Sequence, residues 1–395
     1  MLRLLVLLWF LSQVAQPFSD PEVTLSLAGI VNRWGYPVEQ FDVETADGYI
    51  IDLVRIPHGI KGDQTNISCR PVFIMFPGLF AGSSQYILNP PETSFALYMA
   101  DAGYDIFFGA VRGSINGKRH KYLTVNDFKF WNFSMDEFVQ HDLPDAIDLA
   151  LEKSGKKSLY YLGHSLGTTV GLSLLADKPE YNEKVKGVFG WGSVSTAHHA
   201  KGIAKLLPVL VPILKPIADI FYATIGSFEV PWSIPQLYAT LVELCIPEFI
   251  HPVCIDLVGL VLGKSDAPFN ASRFPVYAAH FMSPTSLKNI FHLAQGTLHQ
   301  DAFRHYDYGY GNWKAYGAAS APIYDFRHIT SPVHLFWSRN DAFANTEETQ
   351  SLIKRLPAGV VEDAIEIPSY GHIDYAWVLD APEKVYMPML LILER

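Results

Sequence analysis

The pentapeptide Gly163-His164-Ser165-Leu166-Gly167 matches the pattern G-x-S-x-G. A serine hydroxyl is a weak nucleophile, so a reactive Ser165 needs a base to take its proton and an acid to orient that base. The pentapeptide lies between a run of β formers, Ser158 to Leu162, and a helical stretch from Thr168 onward. A strand-to-helix turn of this kind lifts the hydroxyl above a sheet, at a helix N-terminus that favours developing negative charge. The turn also crowds neighbouring backbone, which explains the small residues on either side. The chemistry these residue types would perform is acyl transfer through a covalent intermediate.

Acid and base should follow such a serine in chain order, on loops at the carboxyl ends of strands. The chain has 14 histidines, so position must select among them. Val333 to Trp337 reads as a strand, and the loop after it is Ser338-Arg339-Asn340-Asp341. Ala364 to Pro368 reads as the next, followed by Ser369-Tyr370-Gly371-His372. Asp341 and His372 therefore stand where acid and base are required. Asp374 and Asp325 are rival acids, though Asp374 reads better as a helix-start residue, and His334 falls inside a strand as a core residue. An oxyanion needs two aimed N–H groups. Leu166, which follows the serine, supplies one. Leu79, after the strand ending Phe76-Pro77-Gly78, supplies the other.

The elements that must hold these residues alternate. Glu39 to Glu44 and Gly48 to Ile56 read as a hairpin turning at Ala46-Asp47-Gly48. Strands follow at Val72 to Phe76, Tyr104 to Phe108, Ser158 to Leu162 and Gly187 to Trp191, with helical character at Phe95 to Ala102 and Met135 to Lys153. This alternation predicts an α/β fold with a mostly parallel sheet flanked by helices. From about Ser195 to Ser320 the rhythm fails, in a stretch that carries Pro208, Pro212, Pro216 and long uncharged runs. It then returns, with a helix near Glu347 to Leu356 and a last one after Pro382. The expected organisation is a core over residues 20–194 and 321–395, interrupted by a mainly helical cap over residues 195–320.

Composition narrows the setting. The 395 residues carry a net charge of −10, with 49% hydrophobic and 18% charged residues, enough for a large core and the wrong sign for nucleic acid. Residues 1–19 read as a secretory signal, cleaved between about Ala15 and Ser19. Entry into that pathway gives meaning to three sequons, at Asn66, Asn132 and Asn270. Asn132 sits among aromatics and is the least expected to be modified. Of three cysteines, Cys245 and Cys254 are the natural pair and Cys69 is left over. There is no metal-ligand spacing, dinucleotide fingerprint or phosphate loop, so neither metal nor cofactor is expected.

Taken together, these stretches resemble the acid lipases, the family of gastric lipase and lysosomal acid lipase. The likeness runs from about Val31 to the last helix. Besides the serine motif it is carried by Ala100-Asp-Ala-Gly-Tyr-Asp105, Arg112-Gly113, Ser134-Met-Asp-Glu137, Asp142-Leu-Pro144, Trp337-Ser-Arg-Asn-Asp341, Gly371-His-Ile-Asp-Tyr375 and Leu379-Asp-Ala-Pro382. The resemblance implies an α/β-hydrolase core, a cap with a lid, and a Ser165–Asp341–His372 triad. It further implies hydrolysis of lipid esters such as triacylglycerol or cholesteryl ester at a lipid–water interface, with peripheral lipid contact through the cap, in a secreted or lysosomal setting. Cys245 and Cys254 match a disulfide-bearing region of the family's cap. Two positions depart from the family: Pro77 replaces its usual histidine, and Leu166 a frequent glutamine. Neither removes a backbone N–H from Leu79 or Leu166. A short-chain esterase and a lipid carrier on an inactive hydrolase scaffold are the alternatives to a lipase.

Overall fold

The computed structural model describes residues 20–61, 69–224, 226–230 and 250–395. Residues 1–19, expected to be a signal segment, and Asn66 and Cys245 lie outside the described residues. The main sheet contains β1 (Glu39–Glu44), β2 (Tyr49–Ile56), β3 (Val72–Phe76), β4 (Asp105–Gly109), β5 (Arg119–His120), β6 (Leu159–His164), β7 (Val185–Trp191), β10 (Val333–Trp337) and β11 (Val361–Glu366). Its order is β1-β2-β4-β3-β6-β7-β10-β11, with β5 beside β2. The β1–β2 and β2–β4 pairs are antiparallel. From β4 to β11 every pair is parallel. This is the α/β-hydrolase arrangement.

Both faces of the sheet are covered, as parallel strands require. Along β3 the side chains alternate: Val72, Ile74 and Phe76 pack into one buried cluster, Phe73 and Met75 into the other. Around them lie α1 (Leu27–Arg33), α2 (Phe95–Asp101), α3 (Leu143–Ser154), α4 (Leu166–Asp177), α9 (Thr346–Arg355) and α10 (Met387–Leu393). Each fully buried Val, Leu or Phe contributes about 1.5–3 kcal/mol, so these two layers carry most of the fold's stability.

Between β7 and β10 the described residues hold α5 (Leu207–Thr224), α6 (His251–Leu262), α7 (Phe274–Phe281) and α8 (Leu287–Gly296), and a separate two-stranded sheet of β8 (Glu229–Val230) and β9 (Thr285–Ser286). Cys254 on α6 is disulfide-bonded, and Cys69 is free. Among the described residues no helix is long and apolar enough to cross a membrane.

Three expectations change. Met135 to Lys153 is not one helix: a turn at Met135–Glu137 runs into a π-helical segment at Phe138–Asp142 before α3 begins. Pro144 lacks the N–H that continuous i→i−4 bonding would use there, and the wider turn absorbs the gap. The strand expected at Ala364 begins earlier, at Val361, because β11 pairs along all of β10. Asn132 is exposed although Trp131 and Phe133 on either side of it are buried, so its aromatic neighbours do not shelter it. Asn270 is half-buried, its side-chain oxygen accepting from Ser272 at 2.7 Å.

Candidate active site

Strand β6 ends at His164 and helix α4 begins at Leu166, leaving Ser165 alone at the corner with φ 54° and ψ −118°. Such a conformation costs a non-glycine residue about 1–3 kcal/mol and persists only where the surroundings enforce it. Here the Ser165 N–H donates to Trp191 O at 2.8 Å, and Thr168 Oγ1 donates to Gly163 O at 2.8 Å. The corner is also too tight for side chains. A Cβ on Gly167 would come within 2.4 Å of Phe76 O, and one on Gly163 within 2.4 Å of Thr168 N. The pentapeptide's two outer glycines thus let the elbow sit against β3 and against its own helix.

Beyond the corner, Ser165 Oγ lies 2.7 Å from His372 Nε2. On the other side of the ring, His372 Nδ1 lies 2.8 Å from Asp341 Oδ2. Asp341 is 0% exposed, and its Oδ1 accepts the N–H groups of Phe343 at 2.7 Å and Ala344 at 2.9 Å. These two donors fix the carboxylate and stabilise its charge away from water. The three residues come from the loops after β6, β10 and β11. The line Asp341–His372–Ser165 can hold an imidazole in the tautomer that accepts a hydroxyl proton and stabilise it once charged.

The rival acids stand elsewhere. Asp374 accepts the Gly371 N–H at 2.6 Å and begins the turn Asp374–Trp377. Burial raises its pKa to about 6. Asp325 caps a short turn and pairs with Arg327. His334 lies buried within β10 against Asp363.

The two candidate oxyanion donors flank the serine. Leu166 opens α4, where the first N–H groups have no intrahelical acceptor. Leu79 follows Gly78, whose position over the site is close enough that a Cβ there would lie 3.2 Å from Ser165 Cβ. Pro77 contributes its carbonyl to the wall behind Gly167.

Two polar neighbours were not anticipated. His164 Nε2 reaches His372 O at 2.7 Å, and His164 Nδ1 faces the Gln85 side chain at 3.2 Å. His164 was visible inside the pentapeptide, whereas Gln85 carries no sequence signal. Among the described residues no cluster of His, Cys, Asp and Glu could hold a metal.

The chain is similar to known hydrolases in sequence and in fold. A family model described as a partial α/β-hydrolase lipase region matches residues 27–90, and one described as the α/β-hydrolase fold matches residues 71–211. Lipase lipl-1 of Caenorhabditis elegans is 37% identical, over 95% of this chain and 93% of that protein. Gastric triacylglycerol lipase of Homo sapiens is 34% identical, over 93% of this chain and 90% of that protein. Among solved structures, a monoglyceride lipase from Saccharomyces cerevisiae shares the fold at a TM-score of 0.55 and 13% identity, covering 96% of this chain and 98% of that one. A structure from Acinetobacter baumannii described as a putative lipase gives a TM-score of 0.53 at 15% identity, covering 96% of this chain and 99% of that one. The chain belongs to the acid lipase family, and it is a carboxylic ester hydrolase of the α/β-hydrolase fold.

Proposed function

We propose that this protein is a secreted or lysosomal lipase that cleaves neutral-lipid esters, triacylglycerol or cholesteryl ester, through a Ser165–His372–Asp341 triad. The observation that carries the reading is the unbroken line of 2.7 Å and 2.8 Å contacts from Ser165 Oγ through His372 to the buried Asp341 carboxylate. His372 takes the hydroxyl proton as Ser165 Oγ attacks the ester carbonyl. The Leu166 and Leu79 N–H groups hold the oxyanion, a donor pair of which each member is typically worth about 10²–10³ in rate. The protonated His372 then gives its proton to the departing alcohol. Water, deprotonated by the same ring, attacks the acyl-enzyme, and the fatty acid leaves as Ser165 recovers its proton.

The surface between β7 and β10 supports a lipid substrate. Ile213, Ile217 and Ile220 on α5 are exposed, as are Val253, Leu257 and Leu260 on α6. Their three- and four-residue spacing gathers each set on one helix face. Lys215 and Asp219 pair with each other away from that face, at 2.5 Å. Exposed apolar surface of this kind suits a lipid–water interface. The relatives named as gastric triacylglycerol lipase and the disulfide at Cys254 support a secretory-pathway compartment.

The test is fatty-acid release from emulsified long-chain triacylglycerol and cholesteryl ester, across about pH 4 to 8, for wild type beside Ser165→Ala. Release by wild type, with a loss of about 10³-fold or more in the variant, is the expected result. Equal release by both would overturn the role of Ser165. Release from short soluble esters alone would overturn the lipid assignment.

A further inference from the structure

We propose that His164 is a positioning residue for the reaction: an imidazole whose single N–H clamps the backbone of His372 and so sets the base against Ser165. The proposal rests on the serine-hydrolase reading above and adds a residue to it.

The argument begins with proton counting. His164 is buried, and its Nε2 lies 2.7 Å from His372 O. A carbonyl oxygen only accepts, so Nε2 must carry the proton. The burial that encloses the ring, together with the neighbouring His372, pushes the His164 pKa down to about 3, so the ring is neutral and has one proton to give. Nδ1 is then an acceptor. The group facing it at 3.2 Å is the Gln85 amide, its oxygen toward Nδ1 and its Nε2 making no hydrogen bond. Two acceptors cannot bond to each other. Turning that amide by 180° lets Gln85 Nε2 donate to His164 Nδ1 and removes both faults at once. The result is a directed chain: the Gln85 amide donates to His164, and His164 donates to the carbonyl of the base residue. Gln85 is itself held at its backbone, whose carbonyl accepts the Trp377 indole N–H at 3.2 Å.

The location gives this chain its effect. His164 adjoins Ser165 covalently. Its Nδ1 lies 3.2 Å from where a Cβ on Gly78 would stand, so the loop bearing Leu79 rests on the same ring. Its ring centre lies 5.1 Å from that of His372. One side chain therefore touches the serine's strand, the candidate oxyanion loop and the backbone of the base. Asp341 holds the His372 ring from one side, and the ring's backbone anchor contributes to how near Nε2 comes to Ser165 Oγ. Misplacement by about 1 Å at such a site can cost about 10²-fold in rate.

The experiment compares His164→Gln, which can offer an N–H near the same place, with His164→Met, which fills similar space without a donor. Kinetics are read on a soluble ester, and the rate of Ser165 phosphonylation by a fluorophosphonate probe is followed alongside. Expected for His164→Met is a fall in kcat of about 10- to 100-fold with KM within about twofold, matched by slower labelling. His164→Gln should recover most of that loss. The low-field proton resonance of the His372 Nδ1–H should move in His164→Met and stay in place in His164→Gln. A His164→Met enzyme with wild-type kcat and labelling overturns the proposal, and so does a His164→Gln enzyme equally impaired at an unchanged Tm. Should His164→Met fail to fold, Gln85→Met tests the same chain one link away. A lower kcat there supports the proposal, and a wild-type kcat overturns it. A wild type that the probe does not label overturns the hydrolase reading and this proposal together.

Discussion

The amide N–H of His372 donates to the carbonyl of Leu262 at 3.1 Å. The N–H of Ala342 reaches the same oxygen at 3.3 Å. Leu262 ends α6, so that helix is bonded directly to the two loops that carry the proposed acid and base. The next residue, Gly263, has φ 99° and ψ 146°, a region open to glycine alone, and a Cβ there would stand 2.2 Å from Asn340 O. Gly263→Ala should therefore displace the Asp341 loop. We expect kcat on a soluble ester to fall by about 10-fold or more, with a Tm loss of a few degrees. Unchanged kinetics in this variant would show that α6 does not support the site.

His305 offers a prediction in pH. Its Nδ1 lies 3.5 Å from Asp136 Oδ1 and its Nε2 3.7 Å from Asp177 Oδ1. Tyr324 stacks on the ring at 3.9 Å and donates to Asp136 at 2.6 Å. Burial disfavours charge on His305, but the two carboxylates outweigh it and raise its pKa to about 9. A histidine raised above its unfolded value of about 6.5 contributes fully below that value, and its contribution is lost as pH rises through 9. Partial burial opposes charge on Asp136 too, yet His292 and His305 hold its carboxyl well below the usual range. Its contribution is present above about pH 4 and fades on acidification. Both operate between about pH 4 and 6.5. His305→Gln should lower Tm by several degrees at about pH 5 and by much less at about pH 9.5. An equal loss at both would mean the contact is not ionic.

Substituting the exposed isoleucines of α5 tests the proposed lipid contact separately from the chemistry. Ile217 is 70% exposed and Ile213 64% exposed. Transfer of each into lipid is worth about 1.5–3 kcal/mol. The double substitution Ile213→Glu, Ile217→Glu should lower hydrolysis of emulsified triacylglycerol by about 10-fold or more. Hydrolysis of a soluble ester should fall far less. Parallel losses on both substrates would sink the docking role of this face.

Much of the fold and the candidate site was legible because the signals were local. The boundaries of β3 and β10 coincide with apolar β-rich runs closed by proline-glycine or polar loops. Asp341 and His372 were singled out from loop position, and the structure brings both into line with Ser165. What escaped depends on contacts between distant segments. Gln85 meets His164 across 79 positions, and Leu262 meets His372 across 110, with no pattern marking either. The π-helical turn at Phe138–Asp142 was hidden because its apolar spacing still reads as helix. Helix α5 was obscured by Pro212 and Pro216, which lie inside it. Propensity argues against helix there, and the surrounding fold overrides it.

Strands β7 and β10 are hydrogen-bonded neighbours, with Val188 beside Val333 and Trp191 beside Phe336. The two strands are parallel, so the long segment between them leaves the sheet at the carboxyl end of β7 and re-enters it at the amino end of β10. The entropic cost of closing such a connection grows only slowly with its length, so its size is weakly constrained by the sheet beneath. What constrains it is its attachments to the rest of the chain, among them the Leu262 carbonyl on the two loops, the Glu348 carboxylate gathering the N–H groups of Ser195, Thr196 and Ala197, and the Arg273 guanidinium on Asp20 and Glu22. A segment transplanted from a relative that kept those attachments is expected to dock on an unaltered sheet.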